Sequence, residues 1–149
     1  MELSAILHVL GIVIWVGGMF FAYMALRPVA AIVLEPPQRL TLWAGVFGKF
    51  FPWVWVSVAL VLATGLHMVM KLGAATPLYA LVMLAIGTLM MMLFGHVYYV
   101  PYAKLKRAVS QQNWQAGGAV LGQIRTLIGV NLSLGLLTIV VVFVGRALT

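Results

Sequence analysis

Hydrophobic positions in this chain run continuously instead of alternating. Four apolar stretches occupy about residues 5–26, 50–70, 78–100 and 127–144, and the first, Ala5 to Leu26, holds no charged residue. A helix needs about 20 apolar residues to cross lipid hydrocarbon. Backbone groups in that medium must be satisfied within their own segment, so each stretch predicts a transmembrane helix. A β-barrel would need period-two alternation, which none of the four shows. The first stretch is long for a secretory leader, and its flank carries Glu2 where a leader would carry a base, so it reads as a retained span. The predicted fold is all-α: an integral membrane bundle of four transmembrane helices forming one domain over residues 1–149.

The connections predict further structure. Glu35-Pro36-Pro37 marks a break, after which Leu40, Trp43, Val46, Phe47 and Phe50 recur at helical spacing. That pattern predicts a short helix lying in the head-group region. Between Pro101 and Arg125, Leu105, Val109 and Trp114 face off against Lys104, Lys106 and Arg107, which predicts a second interfacial helix. Asn113 is placed to cap a helix continuing into the fourth span. Gly118-x-x-x-Gly122 permits close helix contact.

Composition agrees and adds an orientation. The chain is 64% hydrophobic and 7% charged, which leaves too few charges to cover a soluble enzyme or a nucleic-acid-binding domain. The net charge of +7 resides mainly between the apolar stretches. Arg27, Arg39 and Lys49 join spans one and two; Lys104, Lys106, Arg107 and Arg125 join spans three and four; the other side has Lys71 and Arg146. Basic loops stay cytoplasmic. The expectation is a bacterial inner membrane protein with both termini and the Leu72–Pro77 turn in the periplasm, and with membrane lipid, not nucleic acid, as its surroundings. The chain contains no cysteine, which excludes disulfides, thiolate metal sites and iron–sulfur clusters.

Polar groups inside lipid are costly and mark candidate sites. Both acids, Glu2 and Glu35, lie outside the spans, so no buried carboxylate relay is available. With the amino terminus outside, His8 lies one turn below the outer edge of span one, and His67 lies one turn below the outer edge of span two. Both are roughly 6 Å deep. Two imidazoles at one depth on two helices can clamp a b-type haem, and imidazole also ligates copper or zinc. Gly11 and Trp15 follow His8 on one face, as space for a macrocycle and a ring to pack on it. Thr64 precedes His67 by three residues. Lys71 and Arg146 would stand above the ligand, near its propionates. His96 with Met92 forms a second, weaker metal candidate near the opposite edge, while Met90-Met91-Met92 points around three sides of one helix, as packing residues do. Met70 shares a face with His67 as a copper donor. Asn131 and Ser133 are expected to bridge helices by hydrogen bonds.

The stretch His8-Val-Leu-Gly-Ile-Val-Ile-Trp15-Val-Gly17-Gly18 resembles the opening of the CopD-like copper-resistance membrane family. Phe50 to Gly65, with Ala63-Thr64-Gly65-Leu66, resembles that family's next span. The length and four-span layout also resemble the HemJ-type protoporphyrinogen oxidases, through the His8-to-Gly18 segment and the Arg125…Asn131 spacing. Those enzymes carry a Lys early in span three, where this chain has Tyr79-Ala80-Leu81-Val82, and an Asn-Glu pair where Asn131 is followed by Leu132. The second resemblance implies haem at His8 without the oxidase activity. The leading expectation is therefore a b-type haem protein with His8 and His67 as axial ligands, exchanging electrons with a redox partner in the membrane or periplasm. The alternatives are a copper-handling transporter component of the CopD-like type, with copper passing along His67, Met70 and the methionines of span three, and a HemJ-type oxidase. Four spans leave too little protein for a pore, so a transport role calls for a homo-oligomer.

Overall fold

The computed structural model describes residues 3–149; Glu2 lies outside them. Helix α1, Leu3–Phe21, passes without a break through a π-helical turn, Ala22–Leu26, into α2, Arg27–Val33. The chain then breaks at Leu34 and Glu35, with Glu35 extended ahead of Pro36. A residue before proline avoids the helical region, and a proline suits the first turn of the next helix. Helix α3, Pro36–Leu72, runs for 37 residues and stops at Gly73, whose positive φ of +54° is open to glycine and strained for residues with a side chain. Helix α4, Leu78–Tyr99, bends at Val100 into the short α5, Pro101–Ser110. Helix α6, Trp114–Leu148, is capped as expected: the Ala116 N–H donates to Asn113 Oδ1 at 3.2 Å.

Four helical stretches, Leu3–Val33, Pro36–Ala75, Leu78–Ser110 and Trp114–Leu148, are long and apolar enough to cross a membrane. They extend beyond the apolar stretches that predicted them. The separate interfacial helix expected over residues 36–50 does not exist as such; it is the first part of α3. Gly45, Gly48 and Pro52 all leave the helix continuous, so the two periodicities merge. At 1.5 Å per residue α3 is about 55 Å long, against about 30 Å of hydrocarbon. Helix α5 is a separate amphipathic element. Tyr102, Leu105 and Ala108 are buried while Lys104, Lys106 and Arg107 are exposed.

Helix α1 packs chiefly on α3 and α4 chiefly on α6, with α5 wedged against α3, α4 and α6. Gly11 sets the first contact. A Cβ there would meet Val61 Cγ2 at 2.9 Å and the Ser57 carbonyl oxygen at 3.2 Å. The glycine expected to leave room for a macrocycle instead leaves room for a helix. Asn131, 4% exposed, fixes the second pair by donating from Nδ2 to the Met90 carbonyl at 3.2 Å. Ser133 does not bridge; its hydroxyl donates to Gly129 in its own helix.

The middle of the bundle is an aromatic block. Phe47 stacks on Phe51 at 4.8 Å, and Phe51 meets Phe94 at 5.3 Å and Tyr102 at 4.9 Å, both edge-on. Trp15 and Trp55 close on Phe94 from either side. The outer faces carry Val13, Phe20, Ile32, Trp53, Leu137 and Phe143, all exposed, an apolar surface that suits lipid and not water.

Gly11→Leu must push Val61 and a backbone carbonyl aside, so it is expected to cost about 1–3 kcal/mol. Gly17→Leu, on a face with nothing within 4 Å, should be near neutral. Thermal unfolding of the two variants in one detergent checks the α1–α3 contact.

Candidate functional site

At the end of the bundle where α1 begins, α6 ends and α3 turns into α4, the helix pairs diverge around a cavity of about 360 Å³. His8 and Trp15 enter it from α1, Met68 from α3, Met83, Met90 and Met91 from α4, and Arg146 from α6. The remaining walls are mostly aliphatic, and no acid among the described residues lines it.

The His8 ring is oriented by α3. Its Nδ1 lies 2.9 Å from Thr64 Oγ1, and its Cε1 lies 3.3 Å from where a Gly65 Cβ would be. Thr64 is buried, and its hydroxyl donates back to the Leu60 carbonyl, the usual helix-internal partner. A hydroxyl has one proton to give. With that proton committed to Leu60, Oγ1 accepts from His8, so Nδ1 carries a proton and, in the neutral ring, Nε2 keeps its lone pair. Ligating histidines are prepared in this manner, the outer nitrogen fixed so that the inner one is free for a metal.

The donors are therefore one neutral imidazole nitrogen and the thioethers of Met68, Met83, Met90 and Met91. No group of three or more His, Asp or Glu able to hold a metal occurs among the described residues. A hard or divalent ion needs such oxygen-rich or charged ligands. Thioether and imidazole donors suit copper(I).

The structure brings some predicted site residues together and leaves others apart. His8, Trp15 and Thr64 form one unit, and Arg146, exposed, reaches the cavity's rim. His67 is exposed and does not line the cavity, nor does the exposed Lys71. Met70 is 79% exposed and also faces away from it. The pairing of His8 with His67 thus finds no shared cavity here. His96 and Met92 are exposed and line none of the cavities described. The sequence reading missed Met68, Met83, Met90 and Met91 as a set. The signal was present in Met83, Gly87 and Met90, spaced by four and three residues on one face of α4.

Residues 44–144 match the family model described as copper resistance protein D. The match covers most of α3, all of α4 and α5, and most of α6, including the four methionines; His8 and the rest of α1 lie ahead of it. No curated protein and no solved structure matches the chain.

Thr64→Val removes the acceptor that holds the His8 proton on Nδ1. Imidazole ¹⁵N shifts should report a single Nδ1–H tautomer in the parent chain and in Thr64→Ser, and a tautomer mixture in Thr64→Val.

Proposed function

The chain belongs to the copper resistance protein D family, and from that membership we propose that it handles copper(I) in a bacterial inner membrane, taking the ion as cargo in the cavity at the terminal end of the bundle. The observation that carries the reading is the donor set. His8, whose Nδ1 is taken by the Thr64 contact, lines a cavity shared with Met68, Met83, Met90 and Met91.

Charge supports the choice of ion. The cavity offers neutral donors and an apolar wall, with Arg146 at its rim. Burying an ion in such a place costs more steeply as its charge rises, so a monovalent ion with strong affinity for sulfur is favoured over a divalent one. Copper(I) binding at Nε2 needs no proton release, and it competes with a proton for the same lone pair, so affinity falls as acidity rises. Methionine is flexible and unbranched, so its sulfurs can follow an ion through successive positions. With the basic connections taken as cytoplasmic, the cavity opens towards the periplasm, where the chain would collect copper or hand it on.

Below the cavity the bundle is filled. The void among Trp15, Phe51, Val54 and Phe94 measures about 10 Å³, close to the minimum for one water. The resting bundle therefore suits capture and transfer at one end, and passage across needs helix movement or a second copy.

Copper(I) titration of the purified full chain against a chromogenic chelator tests the reading. One ion per chain is expected. His8→Ala should weaken binding by roughly tenfold or more, as loss of one ligand does. Met83→Leu with Met90→Leu should do likewise, and His67→Ala should change nothing. Absence of copper(I) binding, or binding indifferent to His8 and the methionines, overturns the proposal. A dithionite-reduced haem α-band lost in both His8→Ala and His67→Ala would restore the haem reading in its place.

A further inference from the structure

A second cavity, of about 550 Å³, lies at the opposite end of the bundle, and the copper reading makes no use of it. It is lined by Arg27 from α2, Arg39 from α3 and Arg125 from α6, with Tyr23, Trp43 and Trp114 between them. We propose that this cavity binds the phosphate head group of an anionic phospholipid.

The first observation is charge without compensation. Three arginines line one cavity, and the sole acid among the described residues, Glu35, is not part of its lining. Arg27 is held by its own helix, donating to the Tyr23 carbonyl at 3.1 Å and lying 4.5 Å over the Tyr23 ring. Arg39 bridges the break between α2 and α3 through the Leu34 carbonyl at 2.9 Å and the Ala31 carbonyl at 3.3 Å. Its Nε is buried with no acceptor among the described residues. An unsatisfied buried donor of this kind costs free energy and points to a missing acceptor. Phosphate oxygens fit guanidinium forks in pairs.

The second observation is a backbone irregularity at the same place. The π-helical turn Ala22–Leu26 immediately precedes Arg27 and supplies Ala22 and Tyr23 to the lining. Such turns shift the register of a helix and recur at functional sites. The third is open space. Gly118 and Gly122, which the sequence suggested as a helix-contact motif, line this cavity, and a Cβ at either would meet nothing within 4 Å.

Depth and shape choose lipid over a free anion. Arg27 directly follows the uncharged stretch ending at Leu26, and Arg125 precedes the one beginning at Leu127. The cavity thus straddles the boundary between hydrocarbon and head groups, where basic pockets between helices hold anionic lipids. Leu40, Phe47 and Ile128 supply an apolar wall for the upper acyl chain.

The full chain in a neutral detergent, titrated with dihexanoyl phosphatidylglycerol, dihexanoyl phosphatidylcholine or inorganic phosphate, tests this through the fluorescence of Trp43 and Trp114. Phosphatidylglycerol should bind saturably, at least about tenfold more tightly than phosphatidylcholine, whose choline is repelled by the arginines. Arg125→Gln, at an exposed position that folding tolerates, should weaken it by roughly tenfold. Arg125→Lys should recover part of the loss. Gly122→Leu should block binding by filling the space with all three arginines intact. Equal binding of both lipids, binding of inorganic phosphate as tight as that of phosphatidylglycerol, or indifference to Arg125→Gln and Gly122→Leu would overturn the proposal. Copper(I) binding at His8 is unaffected by these changes, so the two proposals fail separately.

Discussion

Helices whose surfaces are hydrocarbon gain little by hiding that surface from lipid, so a bundle like this one is held by shape and by a few polar contacts. The aromatic block supplies the shape. Phe47, Phe51, Phe94 and Tyr102 interlock across α3, α4 and α5, and Trp15 brings α1 onto them. Gly11 lets α1 approach α3 closely, and Asn131 ties α6 to α4. Because the rings fill the middle, the helices part on either side of them. The two cavities are what remains at the ends, one neutral and rich in sulfur, the other cationic.

This arrangement also explains how His8 can be prepared for a metal without a carboxylate. A buried acid would orient the ring but would bring a second charge into an apolar interior, at a cost of several kcal/mol. A threonine does the same work with a neutral group. Its proton is absorbed by its own helix, leaving an oxygen that can only accept. The side chain that sets the tautomer therefore adds no charge, and the site keeps the low field that a monovalent soft ion tolerates.

How much of this was legible in the sequence follows from what periodicity can measure. The four apolar stretches, the break before Pro36 and the Asn113 cap are local features, and each stands where the residues put it. The length of α3 was less legible, because an amphipathic pattern over residues 36–50 leads into a uniformly apolar one across Gly48 and Pro52, signals for a stop that the helix passes through. Relative height along the bundle was legible, since it is fixed by counting, and His8 meets α3 at Thr64 and Gly65, beside His67 in sequence. Rotation was not. In α1 and in the second half of α3 apolar residues surround the axis, so no stripe shows which side faces the bundle. Thr64 and His67 are three residues apart, and the helix turns Thr64 towards His8 and leaves His67 outside. The methionine set was hidden for the same reason: Met83 and Met90 share a face, but nothing local shows that this face, with Met91 about 100° round the helix, lines a cavity.

The two ends also bear on one another through charge. A cation leaving the sulfur-lined cavity towards the far end meets Arg27, Arg39 and Arg125 beyond the aromatic block. At an effective dielectric near 20, one unit charge about 10 Å from another is worth about 1.7 kcal/mol. Three guanidiniums near that path therefore oppose a monovalent cation, the exposed Arg125 least, because water and salt screen its charge. An anionic head group seated among them cancels part of that field. On the two readings proposed above, lipid occupancy at one end and ion passage from the other would be linked by electrostatics, with no need for a conformational signal between the cavities. The sign of the coupling is fixed: an anion in the cationic cavity lowers the energy of a cation passing that cavity, and a neutral lipid leaves that energy unchanged.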